Sequence, residues 1–431
     1  MKYKYLAGPA ALVTAALLLA GCSPDAGGGS SSQGEVGGTI TLWSYGEETQ
    51  SNKDLVSAFE EKYPGTTVEV VEQPGDNYFA LLQASVTSGK APDAFTMFPG
   101  GYQQQFADYS LDLSKYIDRT ELEAVHAQFF AKDSNLDNPV YGVPTVSNMY
   151  YTLYNQNILD AAGVTTFPSD WAEFNDACEK ITAAGYLCIG YGNVTGSGGF
   201  SAYQDFSYMS GQAVGLEGWD GLIAGTESYD SPAILDQVEQ WATMQTKGFT
   251  NKDVMTWRDV RTDFLAGKTA MMTTGSWDAA WALDGLGEAV HAAPSPFSDK
   301  PIDVLIRLQD AGISVSADSK NPATAAAFAA FAISEQGQQI IADNGGVPSR
   351  TGVDSSNRIN KEIIANAEAA KWTQMPMFDN FIAPSVNAAL NSGLNQVLAG
   401  QLSAKDALDK ADAATKALSP AERVNYNLAG K

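Results

Sequence analysis

From residue 39 onward, short strand-like runs alternate with helical ones, and that order limits the fold more than any other feature of the chain. Thr39 to Ser44 (Thr-Ile-Thr-Leu-Trp-Ser) alternates apolar and polar residues as a half-buried strand does. Leu55 and Phe59 repeat at helical spacing until Pro64-Gly65, and Thr66 to Val71 reads as the next strand. A helix over Tyr78 to Ser88 then leads to a third apolar run, Ala94 to Phe98. Strand, helix, strand in this order predicts parallel pairing through right-handed crossovers, so the class is α/β. Ligands in such sheets bind beyond the carboxyl ends of the strands, which points to Trp43 to Glu47 and Met97 to Tyr102. Further on, Asp170 with Glu173 makes a capping-box-like start for a helix bearing Phe174, Cys178 and Ile181. Asn321-Pro322 supplies a cap and a first-turn proline. Ser403 to Leu418 reads as a last amphipathic helix.

The first residues are not part of this pattern. Lys2 and Lys4 precede an apolar run, Ala10 to Ala20, broken only by Thr14. The run ends in Leu19-Ala20-Gly21-Cys22, which resembles a bacterial lipobox. Residues 1–21 are therefore expected to be a signal peptide, cleaved before Cys22, whose sulfur takes the lipid. As an uncleaved span, Leu6 to Ala20 is shorter than the roughly 20 residues a bilayer requires. Residues 22–38, rich in Gly and Ser, read as a flexible tether. The folded part is then expected on the extracytoplasmic face, attached to the membrane through its N-terminal lipid alone.

About 400 residues after the signal exceed what one hydrophobic core usually supports, so two lobes are expected. A formal charge of −24 repels phosphate backbones and anionic lipid, which leaves nucleic acid a poor partner and a neutral or cationic ligand a better one. Besides Cys22 there are two cysteines, Cys178 and Cys188. The first falls on a helix and the second on the strand returning beside it, an arrangement a disulfide can close in an oxidising compartment. Catalytic signatures are scarce. Neither His126 nor His291 sits in a His-Glu-x-x-His pattern, and no Gly-x-Ser-x-Gly elbow occurs. Gly267-Lys268-Thr269 has Thr262 where a phosphate loop needs its first glycine. No catalytic residue, metal or cofactor is expected, and Asn193-Val194-Thr195 is read as a chance sequon.

Several stretches, colinear over most of residues 39–418, resemble the extracytoplasmic sugar-binding proteins of bacterial ABC importers, the family that includes maltose-binding proteins. Gly89-Lys90-Ala91-Pro92-Asp93-Ala94-Phe95 is similar to the family's Pro-Asp turn entering a strand. Tyr141-Gly142-Val143-Pro144, then Leu153-Tyr154-Asn155 and Ala162-Gly163-Val164, resemble its hinge crossing and the segment beyond. Pro168-Ser169-Asp170-Trp171 with Glu173-Phe174 resembles a helix start. Phe264 to Met272, running into Gly275-Ser276-Trp277, is the most specific stretch. Gly346-Val347-Pro348-Ser349-Arg350 and the Ala404 to Ala411 helix complete the set. Gly142 and Ser169-Asp170 depart from the residues most frequent in the family, differences of packing and capping. The resemblance implies a two-lobed periplasmic-binding-protein-like fold with a multi-strand hinge and an interlobe cleft. It implies closure on the ligand and delivery to ABC transporter permease subunits. The expected division is 39–146 and 310–347 for lobe 1, and 147–309 and 348–431 for lobe 2.

A sugar cleft needs aromatic platforms and convergent hydrogen-bonding groups. Trp43, Tyr45 and Glu47 follow the first strand, and Met97, Phe98, Gly100 and Tyr102 the third. Thr145, Ser147 and Asn148 follow the hinge crossing, and Trp277, Asp278 and Trp281 follow an apolar strand, Ala270 to Thr273. The loops Tyr191 to Gln204 and Pro294 to Gln309 add Tyr203, Gln204 and Gln309, and the last hinge motif adds Arg350. These are the expected ligand contacts, with Trp277 placed in the cleft by the resemblance. Trp171, Trp219 and Trp241 are expected to pack helices instead. The ligand is expected to be a neutral oligosaccharide, bound by a monomer. A glycoside-active enzyme, or a receptor for a polyamine or a peptide, is the alternative.

Overall fold

The computed structural model describes residues 34–46, 48–192, 200–251, 255–420, 422–423 and 426–430. The expected signal segment, Cys22, Glu47 and the 193–199 stretch with its sequon lie outside the described residues. In chain order the strands are β1 (Gly38–Tyr45), β2 (Thr66–Gln73), β3 (Ala94–Met97), β4 (Val143–Pro144) and β5 (Tyr150–Asn155). Then come β6 (Leu187–Gly190), β7 (Thr269–Gly275), β8 (Val290–Ala293), β9 (Val304–Ile306), β10 (Gly312–Val315) and β11 (Thr373–Met375).

One five-stranded sheet has the order β2-β1-β3-β10-β4. β1 runs parallel to β2 and β3, with Leu42 opposite Ala94, as the strand–helix alternation predicts. β10 returns antiparallel to β3 and β4. A four-stranded sheet, β6-β7-β5-β8, forms the second lobe. In it β7 is buried along its whole length, the signature of a central strand covered on both faces. β9 and β11 form a separate parallel pair.

The period-2 pattern divides each strand between two cores. Ile40 and Leu42 face a core with Leu55, Phe59, Val68, Phe328 and Phe331. Phe95 and Met97 face another with Tyr78, Leu82, Phe106 and Phe130. In the second sheet, Tyr151 and Leu153 pack with Phe264 and Met272, whereas Tyr150 belongs to the large core of Phe174, Trp219, Trp241 and Leu394. Trp171, Trp219 and Trp241 are all buried helix residues, as expected.

Local signals mostly hold. Asp170 caps Trp171–Ala183 by accepting from the Glu173 N–H, while Glu173 reaches back one residue further, to the Ser169 N–H at 2.9 Å. Thr256 and Asp259 form a full capping box ahead of Trp257–Leu265. Asn321 precedes Pro322–Ile333 but does not cap it; its Nδ2 donates to the Gly37 carbonyl at 2.5 Å. The Gly37 N–H donates to Thr324 Oγ1, and Val36 packs on the first core. The expected tether to residue 38 is thus corrected, since its end is already fastened to the lobe. Cys178, on the Trp171–Ala183 helix, and Cys188, on β6, are bridged, with their Cα atoms 5.1 Å apart.

Candidate functional site

The chain passes between the two main sheets over 145–149, 307–311 and 346–357. Isolated bridges, Met149 with Arg307 and Val146 with Pro348, tie these crossings together. The carboxyl ends of β1 and β3 face the start of β5 and the end of β7 across a cavity of about 650 Å³. Its walls take Tyr45, Phe98 and Tyr102 from the first lobe, Thr145, Asn148 and Asp310 from the crossings, and Tyr150, Tyr203 and Trp277 from the second.

The aromatic side chains are held by one another. Tyr45 meets Phe98 edge-on at 5.2 Å, and Phe79 stacks on Tyr102 at 4.0 Å. Opposite them Trp277 stands edge-on to Tyr150 at 5.9 Å. The indole lies over Gly275, where a Cβ would collide with its ring. Trp277 is 41% exposed, the only aromatic among the exposed large hydrophobics of the described residues. An open aromatic face in a cleft is a platform for an apolar ligand face.

Hydrogen bonds fix the polar floor. Ser276 Oγ donates to Asn148 Oδ1 at 2.8 Å and accepts from the Met149 N–H at 3.1 Å. Asn148 Nδ2 donates to Asp310 Oδ2 at 2.8 Å, and Asn380 Nδ2 to Asp310 Oδ1 at 2.9 Å. Tyr150 OH donates to Asp379 Oδ1 at 2.8 Å. Burial raises the Asp310 carboxyl above its ordinary range. Asp379 is pushed up to about 7, chiefly by burial, with Tyr150 opposing and the nearby Asp310 charge adding to it. Burial, together with Asp379, also pushes the Tyr150 and Tyr203 phenols well up, so both are neutral.

Of the residues expected at the ligand, Tyr45, Phe98, Tyr102, Thr145, Asn148, Tyr203 and Trp277 line this cavity. The others are placed elsewhere, for recognisable reasons. Trp43 and Met97 pack into the core beside Tyr78. Gly100 has φ of +69° and lies against the Asn380 carbonyl, so it makes the turn into the helix Gly101–Phe106. Ser147 donates its N–H to Val347 within the hinge. Gln204, one helical step from Tyr203, and Gln309 are buried away from the cavity lining. Asp278 accepts from Thr274 Oγ1 at 2.6 Å and pairs with Arg261 at 3.4 Å. Trp281 lies under the Arg261 guanidinium, 4.2 Å from ring centre to carbon. Arg350 donates to Glu121 at 2.8 Å and to the Ile333 carbonyl, joining elements of the first lobe.

Sequence reasoning missed Tyr150, Ser276, Asp310, Asp379 and Asn380. For the last two the signal was present. Asp379-Asn380 is a polar pair inside the apolar run Met377 to Ile382, and buried polar pairs need a reason. Among the described residues, one group has the spacing for a metal, Asp230, Asp409 and Asp412. Lys405 Nζ already bonds Asp230 at 2.9 Å and Asp409 at 2.7 Å there, far from the cavity lining.

Known proteins give this geometry a family. Residues 54–371 match the model for bacterial extracellular solute-binding proteins. A binding protein of Brucella abortus (strain 2308) is 27% identical over 266 residues; the match takes 60% of this chain and 62% of that one. The chain thus spans under two thirds of that relative's length. The galactooligosaccharide-binding protein of Bacillus subtilis (strain 168) is 22% identical over 411 residues, 92% of each chain. Among solved structures, a chitin oligosaccharide binding protein superposes with a TM-score of 0.75 at 22% identity, over 88% of this chain and 98% of the other. The GacH receptor of Streptomyces glaucescens gives 0.74 at 21% identity, over 89% of this chain and 100% of that one. The fold is that of two-lobed periplasmic solute-binding proteins, and the chain belongs to the bacterial extracellular solute-binding proteins.

Proposed function

We propose that the protein captures an oligosaccharide in the interlobe cleft, closes on it, and delivers it to the permease of an ABC importer without chemical change. The observation that carries this reading is the cavity itself, where aromatic faces from both lobes oppose one another over a floor of Asn, Ser, Tyr and Asp groups. Aromatic faces suit the C–H faces of pyranose rings, and the floor suits their hydroxyls. Relatives named for galactooligosaccharide and for diacetylchitobiose support the ligand class. Closure follows if a sugar touches both lobes only when they meet, since a ligand shifts an equilibrium by its differential affinity. In this reading Cys22 carries the lipid that holds a monomer at the outer face of the cell membrane. The lobes divide at the boundaries given above, with the tether ending earlier.

Titration of the folded domain with oligosaccharides, followed by tryptophan fluorescence and by chromatography of the mixture, tests this. Saturable quenching with intact sugar is expected. Shortened sugars would replace the binder by a glycosidase, a reading that the two cavity carboxylates, Asp310 and Asp379, keep worth testing. No response to any oligosaccharide would remove the reading.

A further inference from the structure

The cavity carries acid without base. Among the described residues that line it, Asp310 and Asp379 are the only charged side chains, with no Lys, Arg or His beside them. The groups facing Asp379 are Asp310 and the phenols of Tyr150, Tyr102 and Tyr203, none of them cationic. Buried carboxylates are usually paired with a positive partner, because an ionised group loses its hydration without one. Here the two acids differ in what they lack. Both oxygens of Asp310 already accept from amides, Asn148 and Asn380. Asp379 accepts from Tyr150 OH at Oδ1 and from its own backbone N–H, with no amide side chain on its carboxylate among the described residues. The residue is 9% exposed and lines the cavity, so a buried acid with no cation beside it stands at the ligand space.

We propose that Asp379 receives the protonated amine of an amino sugar, so that the cleft selects amine-bearing oligosaccharides over fully neutral ones. The inference rests on the oligosaccharide reading above. A hard metal ion fits less well, since it wants six or more oxygen ligands and the Asp310 oxygens are engaged. A linear polyamine can also lie on aromatic faces through cation–π contact, so spermidine enters the test as a competitor. An ammonium group needs only a few acceptors, and a carboxylate gives it a charge-assisted bond. Burial also makes the pairing proton-linked: with Asp379 raised to about 7, a bound ammonium favours the ionised form and displaces the proton.

Matched pairs test this by calorimetry: 6-amino-6-deoxy maltooligosaccharides against their parents, and glucosamine oligomers against cello-oligosaccharides of equal length. In whichever series binds, the amine-bearing member should bind at least tenfold tighter at pH 7.5. Its exocyclic amine stays charged, so the 6-amino series should gain affinity from pH 6.0 to 7.5 as Asp379 ionises. In Asp379→Asn the ratio between amine and parent should collapse towards one; the ratio is the readout, since either affinity can move. Parents binding as tightly as amines, or a preference that survives Asp379→Asn, would overturn the inference while leaving the oligosaccharide reading in place. Spermidine outcompeting every sugar, or no sugar binding at all, would take both down.

Discussion

Trp277 and Asp278 are neighbours with opposite assignments. The Ser276–Asp278 turn sends the indole to the cavity and the carboxylate into the protein. Trp277→Ala should weaken sugar binding by roughly 1–3 kcal/mol, the usual loss at a binding hot spot, with little change in melting temperature because the ring is half open already. Asp278→Asn should do the reverse. It loosens the contacts to Thr274 and Arg261, so about 1–3 kcal/mol of stability is lost and affinity is retained. Calorimetric affinity and melting temperature on the same pair decide both, and a Trp277→Ala protein that melts early yet binds normally would cancel the platform role. At this scale the sequence was only partly legible. Strand ends located Tyr45 and Phe98, because side-chain alternation and strand order are properties of the chain itself, whereas Trp277 was placed by the family resemblance. Asp379 and Asn380 reach the cavity from a helix nearly seventy residues beyond Asp310, and no periodicity reports such a return.

Elements were read more reliably than contacts. The strands β1, β2 and β3 and the helix Tyr78–Thr87 follow from apolar spacing and turn residues within one or two positions. The helices Gly101–Phe106, Arg119–Ala124 and Glu335–Asp343 go unread. β4 and β10 do not follow either, being short, buried and defined only by their partners across long sequence separations. The disulfide joins a helix to the adjacent strand β6, and its cysteines were legible from that geometry. Replacing both Cys178 and Cys188 by Ala should lower stability by about 2–4 kcal/mol, since the bridge restricts the unfolded chain, and leave sugar affinity unchanged. Chemical unfolding of the oxidised protein and the double variant measures the difference; an affinity loss greater than the stability loss explains would place the bridge at the ligand site instead.

Over the whole molecule the buried acids set a pH dependence. Asp205, deep in the second lobe beside Tyr191 and Trp241, is raised to about 7 by burial, as is Asp379. Both keep their proton in the folded chain up to about pH 7 but lose it near pH 4 when unfolded, so the folded state binds more protons between those limits. Stability must then fall as pH rises through that window. Acids held below their ordinary range by hydrogen bonds, such as Asp93 and Asp112, change stability only at lower pH. His126, lowered by burial, opposes the trend below about 6.5 without cancelling two carboxyls. The ligand-free protein should melt several degrees higher at pH 5.5 than at pH 8.0, and Asp379→Asn should shrink that difference without abolishing it, since Asp205 remains. Equal melting temperatures in the wild type would show that the acids titrate normally.

The position of β10 between β3 and β4 has a consequence for the order of synthesis. Until residue 315 has left the ribosome, β3 lacks its partner on one side and β4 has none, so the first lobe cannot finish its sheet while the second is being made. A chain of this topology stays incompletely folded through nearly three quarters of its translation, which is the condition in which an export channel that threads unfolded polypeptide can accept it. Truncation before Gly312 should therefore leave β1–β3 without a cooperative melting transition, however complete that segment looks in sequence.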